Sequence, residues 1–306
     1  MNHALPTLLS RVTRPFLRKR TPLMRDICKL AMGLLCPKGS WPPGDVIIAP
    51  VEGGIMALDL GSSLEYMTFF RGCHEPEIQR LIRTVVSPGD TCLDIGANVG
   101  SHTLVMAKQV GSAGRVLALE PHPELVERLQ RNICLNELSQ VEVIQAAVSN
   151  QEGTVKFYGF SPGAVQQSTS SLLPDEEASH QLEVPSITRR SLEQNSDLSR
   201  CNFIKIDVEG AEAIVLDEFV GVIESSHPCL IFEYRKKRWN RFEKDLRATL
   251  GWLHGLAYEL FFVYRHATHR LIDTVPPRCD IVCIPKSNPS LGAVVISKRA
   301  QRKLAA

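Results

Sequence analysis

No apolar run in this 306-residue chain approaches the eighteen or so residues that a bilayer span requires, which excludes a single-pass transmembrane helix within it. Aromatic residues make up only 6% of the chain, too few for the stacking platforms that hold single-stranded nucleic acid. A net charge of +2 gives no overall attraction to polyanions, so nucleic acid is not an expected partner. No two cysteines stand as CxxC. The nine thiols are odd in number, and Cys92, Cys201 and Cys229 fall in or beside apolar strand-like runs, which suits a reducing cytosol. Cys279 and Cys283 are four apart but lack the further ligands of a zinc site. The first residues also lack the compact apolar stretch and cleavage site of a secretory signal, so a cytoplasmic protein is expected.

The stretch that organises the rest is Thr91 to Gly100, TCLDIGANVG. Cys92, Leu93 and Ile95 form a short apolar run after the turn signal Pro88-Gly89-Asp90, and a helical segment follows from Ser101 to Val110. Strand, glycine loop and helix succeed one another. Gly96 and Gly100 allow positive φ or close approach of a ligand, and the unpaired N–H groups opening the next helix face it. Asp94 argues against a dinucleotide, because it sets a carboxylate beside a pyrophosphate, and Asn98 stands where GxGxxG has its middle glycine. S-adenosylmethionine, which carries an ammonium and a sulfonium but no phosphate, fits better. Its ribose hydroxyls need an acceptor at the end of the second strand, and Glu120 closes the run Val116 to Leu119. Asp94, Gly96, Asn98, Gly100 and Glu120, with Ala146 just past the third core strand, form the expected cofactor-binding set.

Apolar runs around Glu52-Gly53-Gly54 predict a hairpin over 46–60, and Ile78, Leu81, Ile82, Val85 and Val86 mark a helix over 75–86. Strands are expected at 91–95, 115–120, 141–145, 154–158, 202–206 and 228–232, with helices at 101–110, 123–135, 211–220 and 241–253. The closing pair of strands is 258–264 and 280–284. Such alternation predicts a mostly parallel sheet with helices on both faces. The polar stretch 161–180 is too long for an ordinary connection, and Gln166, Gln167, Ser168, Ser170 and Ser171 suit hydroxyl recognition. The basic residues from Arg235 to Lys244 read as a solvated face, on the side where an anionic substrate could dock. Residues 1–40 hold eight basic residues against Asp26, a charge of +7 that leaves −5 for the remainder. They are expected as a basic extension, either a partly ordered arm, a membrane-surface or partner contact, or a targeting segment, ahead of a catalytic domain over 41–306 with its cofactor core at about 75–286.

DIGANVG at 94–100, LEPHP at 119–123, NICLNEL at 132–138, AAVSNQEGTVKFY at 146–158 and FIKIDVEGAE at 203–212 resemble the FkbM family of S-adenosylmethionine-dependent methyltransferases. The resemblance runs from about Trp41 to the CIPK closing at Lys286. It implies a class I methyltransferase (Rossmann-like) α/β fold, with a seven-stranded sheet whose last strand is antiparallel. It also implies methylation of a hydroxyl on a sugar, glycan or other natural-product small molecule, and a grip on substrate by the 161–180 stretch. Two other classes stay open: a nicotinamide oxidoreductase using the same strand–loop–helix unit, and a non-catalytic membrane-surface adaptor.

Asp94, Glu120, Asp207 and Glu233 each end a core strand, where open α/β sheets bind ligands. A hydroxyl is a poor nucleophile until a base shares its proton or a cation polarises its oxygen. Asp207 and Glu233 are the candidates for that base, or for joint ligation of Mg²⁺. Lys205 shares the Asp207 face of its strand and is expected to pair with an acid; Glu209, opening the next turn, is expected as a helix cap. Both belong to the candidate catalytic set.

Overall fold

A computed structural model describes residues 4–18, 22–37, 41–159, 180–242, 244–265, 267–271 and 274–287. Helices α1 (Ala4–Arg18) and α2 (Pro22–Leu35) precede a hairpin of β1 (Val46–Val51) and β2 (Gly54–Asp59), then α3 (Ser63–Arg71) and α4 (Pro76–Val85). The core follows as β3 (Thr91–Ile95), α5 (Thr103–Val110), β4 (Arg115–Leu119), α6 (Pro123–Leu135) and β5 (Val141–Ile144). Next come β6 (Ala147–Val148), β7 (Gly153–Gly159), β8 (His180–Ile187), α7 (Arg189–Asn195) and β9 (Cys201–Ile206). The chain closes with α8 (Glu212–Glu218), α9 (Val220–Ser226), β10 (Cys229–Arg235), α10 (Lys236–Trp239), α11 (Leu246–Gly255), β11 (Tyr258–Tyr264), β12 (Ala267–Arg270) and β13 (Arg278–Pro285).

Among the described residues the main sheet has eight strands, ordered β12-β11-β13-β10-β9-β3-β4-β5. Strands β10, β9, β3, β4 and β5 run parallel, and β13 inserts antiparallel between β10 and β11. This is the expected class I architecture with one strand more than the seven predicted. The extra strand, β12, is the return of a tight hairpin in which Tyr264 pairs with Ala267 and Arg265 takes a φ of 47°. Alternation along the strands divides the core in two. Leu93, Ile95, Leu117, Ile204 and Phe232 pack toward α8 and α9, while Cys92, Val116, Phe203 and Ile231 pack toward α4 and α5. A smaller sheet, β6-β8-β7, stands beyond the end of β5. The residues joining β7 to β8 include Gln166, Gln167, Ser168, Ser170 and Ser171 and lie outside the described residues.

Two expected helices differ in extent. Residues 211–220 divide into α8 and α9 around Phe219, which is fully buried. The helix predicted from 241 begins instead at Leu246, because the Asp245 carboxylate accepts the Arg247 N–H at 2.9 Å and caps it there. The basic run before it folds as α10, with Trp239 buried, and then a 3-10 turn.

The segment 1–40 was expected to stand apart as a basic extension, yet its described residues pack on the domain. The Arg14 guanidinium donates to the Phe69 carbonyl at 2.8 and 3.0 Å and to that of Pro50 at 2.7 Å. Met32 and Cys36 join Tyr66, Phe69 and Phe70 in one apolar cluster, and the Tyr66 hydroxyl donates to the Cys36 carbonyl at 2.5 Å.

Two asparagines four residues apart, Asn132 within α6 and Asn136 capping its end, fasten the hairpin beside the glycine loop. Fully buried Asn132 accepts the Ala57 N–H through Oδ1 and donates to the Val99 carbonyl through Nδ2, both at 2.8 Å. Asn136 accepts the Ile55 N–H at 2.8 Å and donates to the Ile55 carbonyl at 2.7 Å. Truncating Asn132 strands a buried donor and a buried acceptor, each costing about 1–3 kcal/mol. Asn132→Ala is therefore expected to lower the urea midpoint of unfolding by an amount worth about 2–4 kcal/mol; an unchanged midpoint would show that the amide is not what joins these elements.

Candidate active site

The glycine loop leaves β3 at the carboxyl edge of the sheet. Gly96, at φ 84°, has no room for a side chain: a Cβ there would lie 1.9 Å from the Asp207 carbonyl oxygen. Only glycine permits both the left-handed backbone and this approach. The Gly96 and Ala97 N–H groups bond to the Leu119 carbonyl at 2.9 and 3.0 Å, and the Asp207 N–H bonds to that of Ile95 at 2.9 Å. Asn98 holds φ 52°, a left-handed conformation that asparagine tolerates, and its Oδ1 accepts the Val99 N–H at 2.7 Å. The loop is thereby locked to the strands on either side of it.

Glu120 ends β4 and is 5% exposed. Its Oε2 accepts the Asn98 N–H at 2.9 Å and its Oε1 accepts the His122 N–H at 3.0 Å. Burial raises its carboxyl to about 7 despite those two bonds. Together with Gly96, Asn98, Pro121, Ala146 and Phe157 it lines an apolar-walled cleft whose far side is Asp207, Val208 and Glu209. The small β6-β8-β7 sheet supplies one wall through Ala147, Val148 and Phe157.

Asp94 does not reach this cleft. Strand alternation turns it to the α4/α5 face, where it is fully buried, accepts the Thr103 hydroxyl at 2.6 Å and lies opposite Lys205 in the strand register. Gly100 is likewise remote: at φ 94° it turns the chain into α5, against the Leu129 side chain. The structure thus gathers Gly96, Asn98, Glu120 and Ala146 at the cleft and leaves Asp94 and Gly100 off its lining.

A second, more polar pocket adjoins the first and shares Gly96, Asn98, Asp207 and Glu209 with it. Lys205, 3% exposed, donates to the Asp207 carboxylate at 2.9 Å. Burial works against the Lys205 charge, but Asp207, Asp94 and Glu75 outweigh it and raise its pKa. Glu233 pairs with Arg235 at 2.7 Å and Arg278 at 3.6 Å; Glu209 pairs with Arg235 at 3.2 Å and with Arg238. Burial, with Asp207 nearby, raises the Glu233 carboxyl to about 7. Glu209 is therefore not the helix cap that was expected. The basic run likewise is not wholly solvated, since Arg235 and Arg238 turn inward to these acids.

Oxygens of Asp207, Glu209 and Glu233 converge within 4.8 Å. Each of the three carboxylates already faces a lysine or arginine, so the donor set does not fit a hard divalent cation without displacing those partners, and no step is derived through Mg²⁺.

Three residues that the sequence analysis did not single out complete the pocket. His102 Nε2 lies 3.2 Å and His74 Nε2 3.8 Å from the Glu75 carboxylate, and all three line it. His102 stands two residues past the glycine motif, and His74-Glu75 precedes the proline that starts α4; those positions were the available signal. Glu212 was likewise quoted only within its motif. It is buried, and its Oε1 accepts the Val208 and Gly210 N–H groups at 3.2 and 2.9 Å, fixing the turn at the head of α8.

Burial raises the Glu212 carboxyl from an ordinary 4.5 to about 8. The folded state then binds more protons than the unfolded state between these values, so this group's contribution to stability declines as pH rises through that window. A neutral amide keeps the accepting oxygen and has no charge to bury. Glu212→Gln should match the wild type in thermal unfolding near pH 4.5 and gain on it progressively up to pH 8, beyond which the difference levels off. A difference independent of pH would remove the buried charge as its cause.

Comparison with known proteins agrees with this architecture. Residues 94–260 match the family described as the methyltransferase FkbM domain. Methyltransferase sdnD of Sordaria araneosa is 30% identical over an alignment covering 40% of this chain and 58% of that protein. Hexuronic acid methyltransferase AglP of Haloferax volcanii is 23% identical, over 49% of this chain and 59% of that protein. The chain thus spans less than two thirds of the length of either curated relative. A solved structure, methyltransferase FkbM from Methylobacillus flagellatus KT, aligns with a TM-score of 0.40 and 16% identity over 71% of this chain and 52% of its own. With its glycine loop, acidic strand ends and β9 turn all inside a match that covers more than half of its residues, the chain belongs to the methyltransferase FkbM domain family.

Proposed function

We propose that this protein is an S-adenosylmethionine-dependent O-methyltransferase acting on a hydroxyl of a sugar, glycan or related small molecule. The observation that carries the reading is the shared wall of the two pockets: Gly96, Asn98, Asp207 and Glu209 line both, so a group held in one meets a group held in the other at Asp207. The cleft beside Glu120 fits the cofactor. Gly96 leaves its floor free of side chains, and the Glu120 carboxylate keeps lone pairs for ribose hydroxyls beyond the two N–H bonds it accepts. When bound, S-adenosylmethionine supplies a methyl group made electrophilic by its sulfonium. Similarity to a hexuronic acid methyltransferase supports a sugar acceptor.

The residues of the polar pocket divide the remaining work. Asp207 takes the proton of the acceptor hydroxyl as the oxygen becomes nucleophilic. Lys205, held protonated beside it, stabilises the negative charge that develops there. Arg235, paired with both Glu209 and Glu233, keeps those carboxylates from repelling Asp207 out of position. Holding acceptor and donor in line contributes about 7–11 kcal/mol, the larger part of what this reaction asks of its protein.

Removing the Glu120 acceptor is expected to weaken S-adenosylhomocysteine binding by about 1–3 kcal/mol in Glu120→Ala, measured by calorimetry. Wild-type affinity should also fall as pH drops below about 7, where the carboxyl protonates; affinity that ignores both changes places the cofactor elsewhere. Asp207→Asn keeps the shape and removes the base. Methyl transfer should fall by about two orders of magnitude or more with cofactor affinity little changed, and wild-type turnover should ignore EDTA. Normal turnover in Asp207→Asn would end its role as base.

A further inference from the structure

The two N-terminal helices carry apolar residues on their outer faces. In α1, Ser10 and Thr13 are buried, the Thr13 hydroxyl without a partner, while Leu5, Leu8 and Val12 are exposed. In α2, Cys28 and Met32 are buried, as is Cys36 just past its end, while Ile27, Leu30 and Leu34 are exposed. Both outward stripes repeat at i, i+3 and i+7, the spacing of one helix face, and Leu34 is 72% exposed. Among the described residues nine large apolar side chains are exposed, and seven of them lie on these two helices, which pack against each other. The segment that carries them also holds the +7 charge of residues 1–40.

A partner for this face has to be apolar where the leucines are and negative around them. A second copy would set +7 against +7. Nucleic acid meets the charge but offers no apolar surface to the leucines. No helix of the described residues is long and apolar enough to cross a membrane; α1 and α2, of 15 and 14 residues, suit an orientation in the plane of the interface. We infer that α1 and α2 seat the protein on an anionic lipid bilayer, with the stripes Leu5/Leu8/Val12 and Ile27/Leu30/Leu34 in the acyl boundary and the net positive charge of residues 1–40 drawing the segment to the headgroups.

The seat is built into the catalytic unit. On α3, Tyr66, Phe69 and Phe70 pack beneath the anchor, and Leu64, Met67 and Arg71 line the groove that opens onto His74, Glu75 and Glu233. The acceptor side of the site is thus one helix away from the lipid. If the proposed methyl transfer is right, an acceptor carried on a lipid headgroup or lipid-linked sugar can reach it.

The test needs no acceptor. The full chain is sedimented with vesicles of phosphatidylglycerol and phosphatidylcholine in equal parts, with pure phosphatidylcholine vesicles, and with Leu8, Leu30 and Leu34 together replaced by glutamate. Strong binding to the anionic vesicles, weakened by salt and by pure phosphatidylcholine, is expected, with at least a tenfold loss in the triple variant. Because the replaced side chains point to solvent, S-adenosylhomocysteine affinity should stay unchanged, which separates loss of the seat from loss of the fold or of the cofactor site. Leu34→Trp gives a second reading: its fluorescence should be quenched by lipids brominated on the acyl chains. Wild-type protein that stays in the supernatant, a triple variant that binds as well as wild type, or an unquenched Leu34→Trp each overturns the inference. So does a wild-type dimer in sedimentation velocity that the triple variant dissolves, since a second copy would then own the face.

Discussion

The closest constraint in the molecule is the contact between Gly96 and the carbonyl of Asp207. It brings the loop after β3 against the loop after β9, strands that are neighbours in the sheet but distant in the chain. Every feature of the site follows from that contact. It lets Glu120 reach the Asn98 N–H, it places Asp207 between the cleft and the polar pocket, and it requires the turn at 207–210 to be held as firmly as the glycine loop is. Glu212 does the holding, from the first residue of the helix that follows.

Around that contact the charges alternate. Lys205 lies between Asp94 and Asp207, and Arg235 between Glu233 and Glu209, so acids that would repel one another are kept apart by a cation. The Asp280 carboxyl is pushed well upward by burial and by Glu75, Asp207 and Glu233, with Lys205 acting against them. The charges of this set are thereby held in one connected network, in which each cation serves more than one acid.

Much of this was legible in the residues. The strand–loop–helix at 91–110 and the acids at strand ends follow from a period of two meeting glycine, and strand alternation alone put Lys205 on the face of Asp207, the acid with which it pairs. The same rule, applied to Asp94, would have turned it away from the cleft, but the chemistry of the ligand was allowed to outweigh it. His74, Glu75 and His102 were missed because their meeting depends on how α4 packs against α5, which no local pattern encodes. The leader's basic composition suggested an arm, yet its burial is set by Arg14 finding carbonyls 36 and 55 positions away. Arg235 and Arg238 read as surface charge for a similar reason: the acids that draw them inward come from other turns of the chain.

One detail of the hairpin bears on solubility. A two-stranded ribbon exposes rows of backbone donors and acceptors along its outer edges, and such an edge recruits strands from other molecules. The outer edge of β2 is already taken. Asn136 presents its amide to both the N–H and the C=O of Ile55, as a neighbouring strand would, and Asn132 covers the N–H of Ala57 two residues on. A helix thereby acts as the terminal strand of the ribbon through two side chains, and an incoming chain meets no free ladder at these positions on which to begin an intermolecular sheet.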